Sequence, residues 1–121
     1  MNLMICLSKM VKVLIKPLSV NQCWAGRRFK TPKYKEYEKN LLSLLPKKCK
    51  IPKGDLILNA FCGYSSKLAD IDNFLKPFID ILQKKYGFND SRIFKLVVEK
   101  EIVKKGEEFI EFKIEKYDSK N

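Results

Sequence analysis

Asp70-Ile71-Asp72-Asn73-Phe74-Leu75-Lys76-Pro77-Phe78-Ile79-Asp80, with Asn89-Asp90 downstream, is the stretch that organises this chain. Residues 70–90 gather four of the five aspartates that precede the C-terminal tail, and the surrounding sequence is basic. The 121 residues carry 25 Lys+Arg against 14 Asp+Glu, a formal net charge of +11. Two carboxylates ~4 Å apart repel by several kcal/mol at an effective dielectric of about 20. An acidic knot of this kind implies a divalent cation that removes the repulsion, and oxygen-only ligands favour Mg²⁺, Mn²⁺ or Ca²⁺ over zinc. A basic surface around such a site describes a protein that cuts or joins phosphodiesters.

The same stretch sets the local fold. Phe74, Leu75, Phe78, Ile79 and Leu82 form one apolar stripe of a helix that runs to about Tyr86 and ends at Gly87. Pro77 cannot sit in a helix interior without removing a bond and crowding the carbonyl four residues back. The regular helix is therefore expected to start near Phe74, with Asp70–Asn73 in the loop before it.

Upstream, Leu56, Leu58, Ala60 and Cys62 alternate within a strand over Asp55–Cys62, and Gly63–Ala69 is a polar turn carrying Lys67. Downstream, Phe94, Leu96 and Val98 alternate, Lys104–Glu107 reads as a hairpin turn, and Ile110, Phe112 and Ile114 alternate again. Nearer the N-terminus, Met10–Leu18 is a strand ended by Pro17, and Ser19–Lys33 is a charged loop. Tyr34–Leu45 is a helix with Tyr34, Tyr37, Leu41, Leu44 and Leu45 on one stripe and Pro46 as its stop. The expected order is β-α-β-α-β-β: an α/β fold, one small domain over residues 1–117 with a mixed sheet and two helices, then a frayed tail over 118–121.

Composition narrows function further. Apolar residues make up 45% of the chain, which suits a globular domain. The positive charge favours a polyanionic partner, nucleic acid before anionic membrane. No uncharged apolar run reaches membrane-spanning length, and Met1–Leu7 lacks the basic segment of a signal peptide, so a cytoplasmic, intracellular protein is expected. Cysteines fall at 6, 23, 49 and 62 without a CxxC pair, and there is no histidine. Zinc ribbons and fingers are thereby excluded, as are Ser-His-Asp, Cys-His and histidine-base chemistries. Four reduced, mostly buried cysteines are expected.

Asp72, Lys76 and Asp80 are spaced i, i+4, i+8, which places Lys76 between two carboxylates on one helical face. Asp70 precedes them by two residues, and Asp90 is expected to join Asp70 and Asp72 if helix and loop fold back. Taken singly these residues have plainer roles: Asp72 is a good N-cap, and the trio is an ordinary ion-pair ladder. Phosphodiester cleavage needs an activated water and compensation of charge on the phosphorus centre, and carboxylate-held Mg²⁺ supplies both. With no histidine, the base is metal-activated water, a carboxylate or Lys76. Beside Asp72, Lys76 is expected to stay charged and to stabilise phosphate. Arg27, Arg28, Lys30, Lys33 and Lys35, interleaved with Trp24, Phe29, Tyr34 and Tyr37, suit a DNA backbone, as does Lys67; the two tyrosines serve equally well as helix core.

The pattern D-x-D-N-x-x-K-x-x-x-D, a short turn, then an acidic position before an Ile/Val strand, resembles the RusA family of Holliday junction resolvases, often carried by phages and prophages. Ser19-Val20-Asn21-Gln22-Cys23-Trp24 is similar to that family's S-x-N-x-x-W, so the resemblance spans nearly the entire chain. It implies a homodimer that binds four-way junction DNA and nicks two opposed strands with Mg²⁺, for which Mn²⁺ is a plausible substitute. It also implies Asp70, Asp72 and Asp90 as metal ligands, with Lys76 required for cleavage, and neither a membrane nor a small-molecule substrate as partner. Where the family usually has an acidic pair this chain has Asn89-Asp90, leaving Asp90 to act alone. The competing reading is a non-catalytic nucleic-acid-binding protein that keeps the RusA-like fold. Retention of three carboxylates and Lys76 argues against it, since a pure binder gains nothing from acids that face phosphates.

Overall fold

The computed structural model of the protein describes residues 10–26 and 29–118. Its centre is β4 (Leu56–Tyr64), whose alternation places Leu56, Leu58, Ala60 and Cys62 on one fully buried face. Around it stand β1 (Val11–Val13), β5 (Ile93–Ile102) and β6 (Phe109–Lys116) in the order β1-β6-β4-β5. β4 runs parallel to β5 and antiparallel to β6, and β6 runs antiparallel to β1. The expected mixed α/β domain with two helices is what forms.

Helices α1 (Pro32–Leu44) and α2 (Leu75–Tyr86) supply the rest of the core. From α1 come Tyr34, Tyr37 and Leu41; α2 and its cap add Phe74, Phe78, Ile81 and Leu82. Phe78 lies between Phe74 and Phe112, with ring centroids 6.0 and 5.4 Å away. Thr31 starts α1 by accepting a bond from the Tyr34 N–H (3.1 Å), with Pro32 at the first position, where no N–H is missed. α2 begins at Leu75, so Pro77 stands in the first turn and costs no helical bond; Gly87, at φ 71°, ends it. Asp70–Phe74 is a run of turns before the helix, as Pro77 implied.

Four expectations about the fold need correction. Lys104–Glu107 does not close a hairpin, because β5 and β6 flank β4 on opposite sides and the connection crosses its end, where the Val103 N–H donates to the Tyr64 carbonyl (2.8 Å). Two alternating strands around a turn look the same in sequence whether they pair directly or admit a third strand between them. The loop at Ser19–Lys33 contains a 3-10 turn (Val20–Gln22) and a small ribbon of β2 (Trp24–Ala25) and β3 (Phe29–Lys30). The N-terminal strand stops at Val13, earlier than Pro17 required. As for the thiols, Cys23 and Cys62 are buried and free as expected, whereas the half-buried Cys49 is disulfide-bonded. Cys6 lies outside the described residues.

On the face of β4 away from the helices, Gly63 pairs with Phe109, whose ring lies where a Cβ on residue 63 would stand. Lys12 Nζ sits 4.3 Å from the centroid of that ring. Gly63→Ala should therefore displace the ring and lower unfolding stability by about 1–3 kcal/mol, the usual cost of overpacking. Urea denaturation measures this; an unchanged midpoint would show that the ring moves freely.

Candidate active site

Nine residues of β4 end at Tyr64, and the chain then turns through Ser65–Ala69 to deliver Asp70 and Asp72 at the mouth of α2. Both carboxylates are exposed, and both bear on the buried phenol of Tyr64. Burial is the main cause that pushes the Tyr64 phenol up, followed by the Cys62 thiol beside it and then by Asp72 and Asp70. The Tyr64 hydroxyl has no hydrogen-bond partner of ordinary geometry, and Cys62 itself is pushed up to about 11 by burial. Neither group ionises at neutral pH, so the negative charge here belongs to the aspartates.

Asn73 fixes the first of them. Its Nδ2 donates to Asp70 Oδ2 (3.3 Å), and its backbone N–H donates to the Asp70 carbonyl (3.3 Å). The Asn73 carbonyl accepts from the Val20 N–H (2.8 Å), which ties the Ser19–Trp24 segment to the aspartate turn. Lys100 of β5 clamps the same turn from below, donating from Nζ to the carbonyls of Ala69 (2.7 Å) and Lys67 (3.4 Å). A cleft of about 230 Å³ opens here between Asp70, Asn73, Ser65, Ser66, Lys16 and Glu108. The Glu108 carboxyl is held below its ordinary range by bonds from its own backbone, Ser65 and the Gly106 N–H, against the opposing effect of burial, with Lys16 adding a smaller pull. Asn73 stood in the quoted motif without a role. Lys100 and Glu108 carry no local signal at all, since only the pairing of distant strands brings them here.

Lys76 and Asp80 face each other one helical turn apart, Nζ to Oδ1 3.2 Å, and Lys76 makes no ion pair with Asp72. Asp72 precedes the helix, so the i, i+4 spacing does not apply to it. Gln83 accepts from the Asp90 N–H (2.7 Å) and donates to Asp80 (3.4 Å).

Asp90 itself stands elsewhere. α2 covers ~18 Å at 1.5 Å per residue, and it leads back from the end of β4 to the start of β5. Leu56, the first residue of β4, pairs with Ile93, while its last, Tyr64, pairs with Ile102. Asp70 and Asp72 thus lie at one end of this strand pair and Asp90 at the other, and the loop does not fold back to unite them. Among the described residues no three carboxylates or thiols are gathered into a metal-binding group. Asn89 is engaged as a cap, its Oδ1 accepting from the Ser91 N–H (2.8 Å), and Arg92 anchors the turn by donating to the carbonyls of Gly54 (2.8 Å) and Pro52. Asp90 keeps an exposed carboxylate on an anchored turn.

The donor set at Asp70 and Asp72 fits Mg²⁺, which takes one or two carboxylates and leaves its other positions to water and phosphate oxygens. No ion pair among the described residues neutralises either aspartate.

Of the expected DNA contacts, Lys33 and Lys67 are exposed. Lys30 is engaged with Glu38 (3.3 Å), which Lys84 also reaches (3.4 Å). Arg27 and Arg28 lie outside the described residues. Tyr34 and Tyr37 are core, whereas Trp24 and Phe29 are exposed. Among the described residues no helix is long and apolar enough to cross a membrane.

A family model described as endodeoxyribonuclease RusA matches residues 19–115, and the chain belongs to that family, whose members are nucleases acting on Holliday junctions. No curated protein matches the chain.

The Lys100 clamp has a direct consequence. Lys100→Met keeps the stem but removes the donor, and amides of residues 66–70 should exchange at least several-fold faster while β4 amides stay protected. Hydrogen exchange by mass spectrometry reads both; unchanged turn protection would show that Asn73 alone suffices.

Proposed function

We propose that this RusA-family chain is a Mg²⁺-dependent endonuclease that resolves four-way DNA junctions by paired nicks, as a homodimer in recombination and repair. The observation that carries the proposal is the Asp70/Asp72 pair, exposed and without a cationic partner among the described residues, in a chain of net charge +11. Glu38, by contrast, is reached by two lysines, and Asp80 and Glu115 by one each. Two exposed carboxylates two residues apart repel modestly across solvent, and a bound cation would turn that repulsion into attraction.

Asp70 and Asp72 would hold the metal, with Mn²⁺ an acceptable substitute. When bound, it would compensate charge on the scissile phosphate and activate the attacking water. Asn73 and Lys100 keep Asp70 in position for this task. Lys76, exposed and only one turn from the pair, would leave Asp80 to meet a phosphate oxygen; a surface ion pair of this kind contributes about 0–1 kcal/mol and is readily exchanged. With no histidine in the chain, the proton from water passes to a carboxylate or to solvent. Lys33 and Lys67, with Arg27 and Arg28, would neutralise phosphates flanking the cut.

Asp90 completes the set only from a second copy, because α2 holds it away from Asp70 within its own chain. Resolution of a junction also needs two cuts related by a two-fold axis, and a C2 dimer supplies that symmetry. Among the described residues no three carboxylates gather, which leaves a second reading, a junction binder without turnover. A nicking assay separates the two. With Mg²⁺, the wild-type protein should cut a synthetic four-way junction and leave linear duplex intact. Asp70→Asn or Asp72→Asn should lower cutting at least 10³-fold, about 4 kcal/mol of barrier, while junction affinity is kept or improved. Full activity in either variant would overturn the assignment; an inert wild type that still binds junctions would establish the binder.

A further inference from the structure

We propose that a cleft between α1 and residues 15–18 is a nucleotide subsite, which takes one unpaired nucleotide of the junction beside the candidate metal pair and reads its base. The proposal rests on the functional reading above for its substrate, and on the cleft itself for the site. Lys33, Glu36, Tyr37 and Asn40 are spaced i, i+3, i+4 and i+7, so α1 presents them on one face, and all four line the cleft. Pro17 and Leu18, both buried, line it from the other side. Its volume is about 370 Å³, larger than the cleft at Asp70. The two clefts adjoin: Lys16, Pro17 and Gln22 line both, so a strand held at Asp70 continues directly into the second.

The polar groups of this cleft are unspent. Lys16 and Lys33 are exposed and, among the described residues, in no ion pair. The side-chain amides of Gln22 and Asn40 are exposed as well, and neither has a hydrogen-bond partner among the described residues. Tyr37 carries the independent sign of a ligand. It is only 6% exposed, and its hydroxyl is buried without a hydrogen-bond partner of ordinary geometry, although the Leu18 N–H bears on it. A buried hydroxyl that shares its proton with nothing costs stability, and an acceptor brought into the cleft would remove that cost. Apolar walls with a few convergent polar groups are what small-molecule clefts of about 300–1,000 Å³ offer.

A nucleotide matches this set in each part. Its phosphate suits Lys16 and Lys33, its flat faces suit Pro17 and Leu18, and its edge offers donors and acceptors to the two amides and to Tyr37. Glu36 can only accept, so it favours a base with an exocyclic amino group over thymine. The volume suits one base with its sugar, not a base pair, so the occupant is extrahelical. A free nucleotide has the same chemistry; the wall shared with the Asp70 cleft favours a nucleotide of a bound strand. Seated there, the base would set which phosphate of that strand lies at Asp70 and Asp72.

An abasic scan of a synthetic junction tests the subsite on the full chain, without Mg²⁺ so that binding alone is read. One abasic position near the crossover should weaken wild-type binding about tenfold, the scale of a single base contact, and thymine at that position should bind less well than cytosine or adenine. Asn40→Ala and Gln22→Ala, both exposed changes, should bind with little regard to that position. Tyr37→Phe, which removes only the hydroxyl, should keep its circular dichroism and shrink the positional effect about threefold. Equal affinity at every abasic position, or a positional effect that Asn40→Ala and Gln22→Ala leave whole, overturns the subsite. A nucleoside monophosphate that shifts the Gln22 and Asn40 amide resonances while the scan stays flat would assign the cleft to a free nucleotide and overturn it too. Nicking with Mg²⁺ is measured beside these: an inert chain that keeps the positional effect loses the nuclease reading alone, and an active chain with a flat scan loses the subsite alone.

Discussion

A parallel strand pair cannot be joined by a tight turn, and this constraint governs the molecule. To reach β5 in the same direction as β4, the chain must travel back along the sheet, and α2 is that return. The journey buries Phe74, Phe78, Ile81 and Leu82 against β4 and β6, so the connection is also the core. It begins at Asp70 and Asp72 and ends just before Asp90. The distance between those acids is thus a property of the fold, not of a flexible loop, and no local rearrangement short of unfolding α2 removes it.

The exposed pair at the mouth of α2 is held from three directions. Asn73 bonds Asp70, Val20 bonds Asn73, and Lys100 reaches up from the edge strand to the turn before them. None of these groups neutralises the carboxylates; each fixes backbone or a single oxygen and leaves the rest free. The edge strand therefore has two ties to the site, one through Lys100 in its own chain and, in the proposed dimer, one through the Asp90 that precedes it.

Periodicity in the sequence was sufficient for the elements and insufficient for their neighbours. Leu56, Leu58, Ala60 and Cys62 declared a strand by alternation, and Pro77 dated the start of α2 correctly, because both are local matters of sterics and burial. The supposed hairpin at Lys104–Glu107 failed because turn chemistry does not reveal that β4 lies between its strands. The site divides in the same way. Asp70, Asp72 and their isolation in a basic chain were legible from spacing and charge. Helical spacing pairs Lys76 with Asp72, but Asp72 lies three residues before the helix begins, where that spacing no longer holds. Lys100 and Glu108 were invisible, since tertiary pairing alone carries them to the turn, and the remoteness of Asp90 follows from strand direction, which residue order does not encode.

Subunit complementation examines the central claim, that acids from opposite ends of α2 meet across a two-fold axis. Asp70→Asn and Asp90→Asn chains, each inactive alone, are mixed and allowed to exchange subunits before junction and Mg²⁺ are added. Each mixed dimer then holds one site with both groups intact and one with both lost, so single-strand nicking should return without paired resolution. A mixture of Asp70→Asn with Asp72→Asn, whose acids share one end of α2, should stay inactive. Silence of the Asp70→Asn/Asp90→Asn mixture after verified exchange would contradict the account.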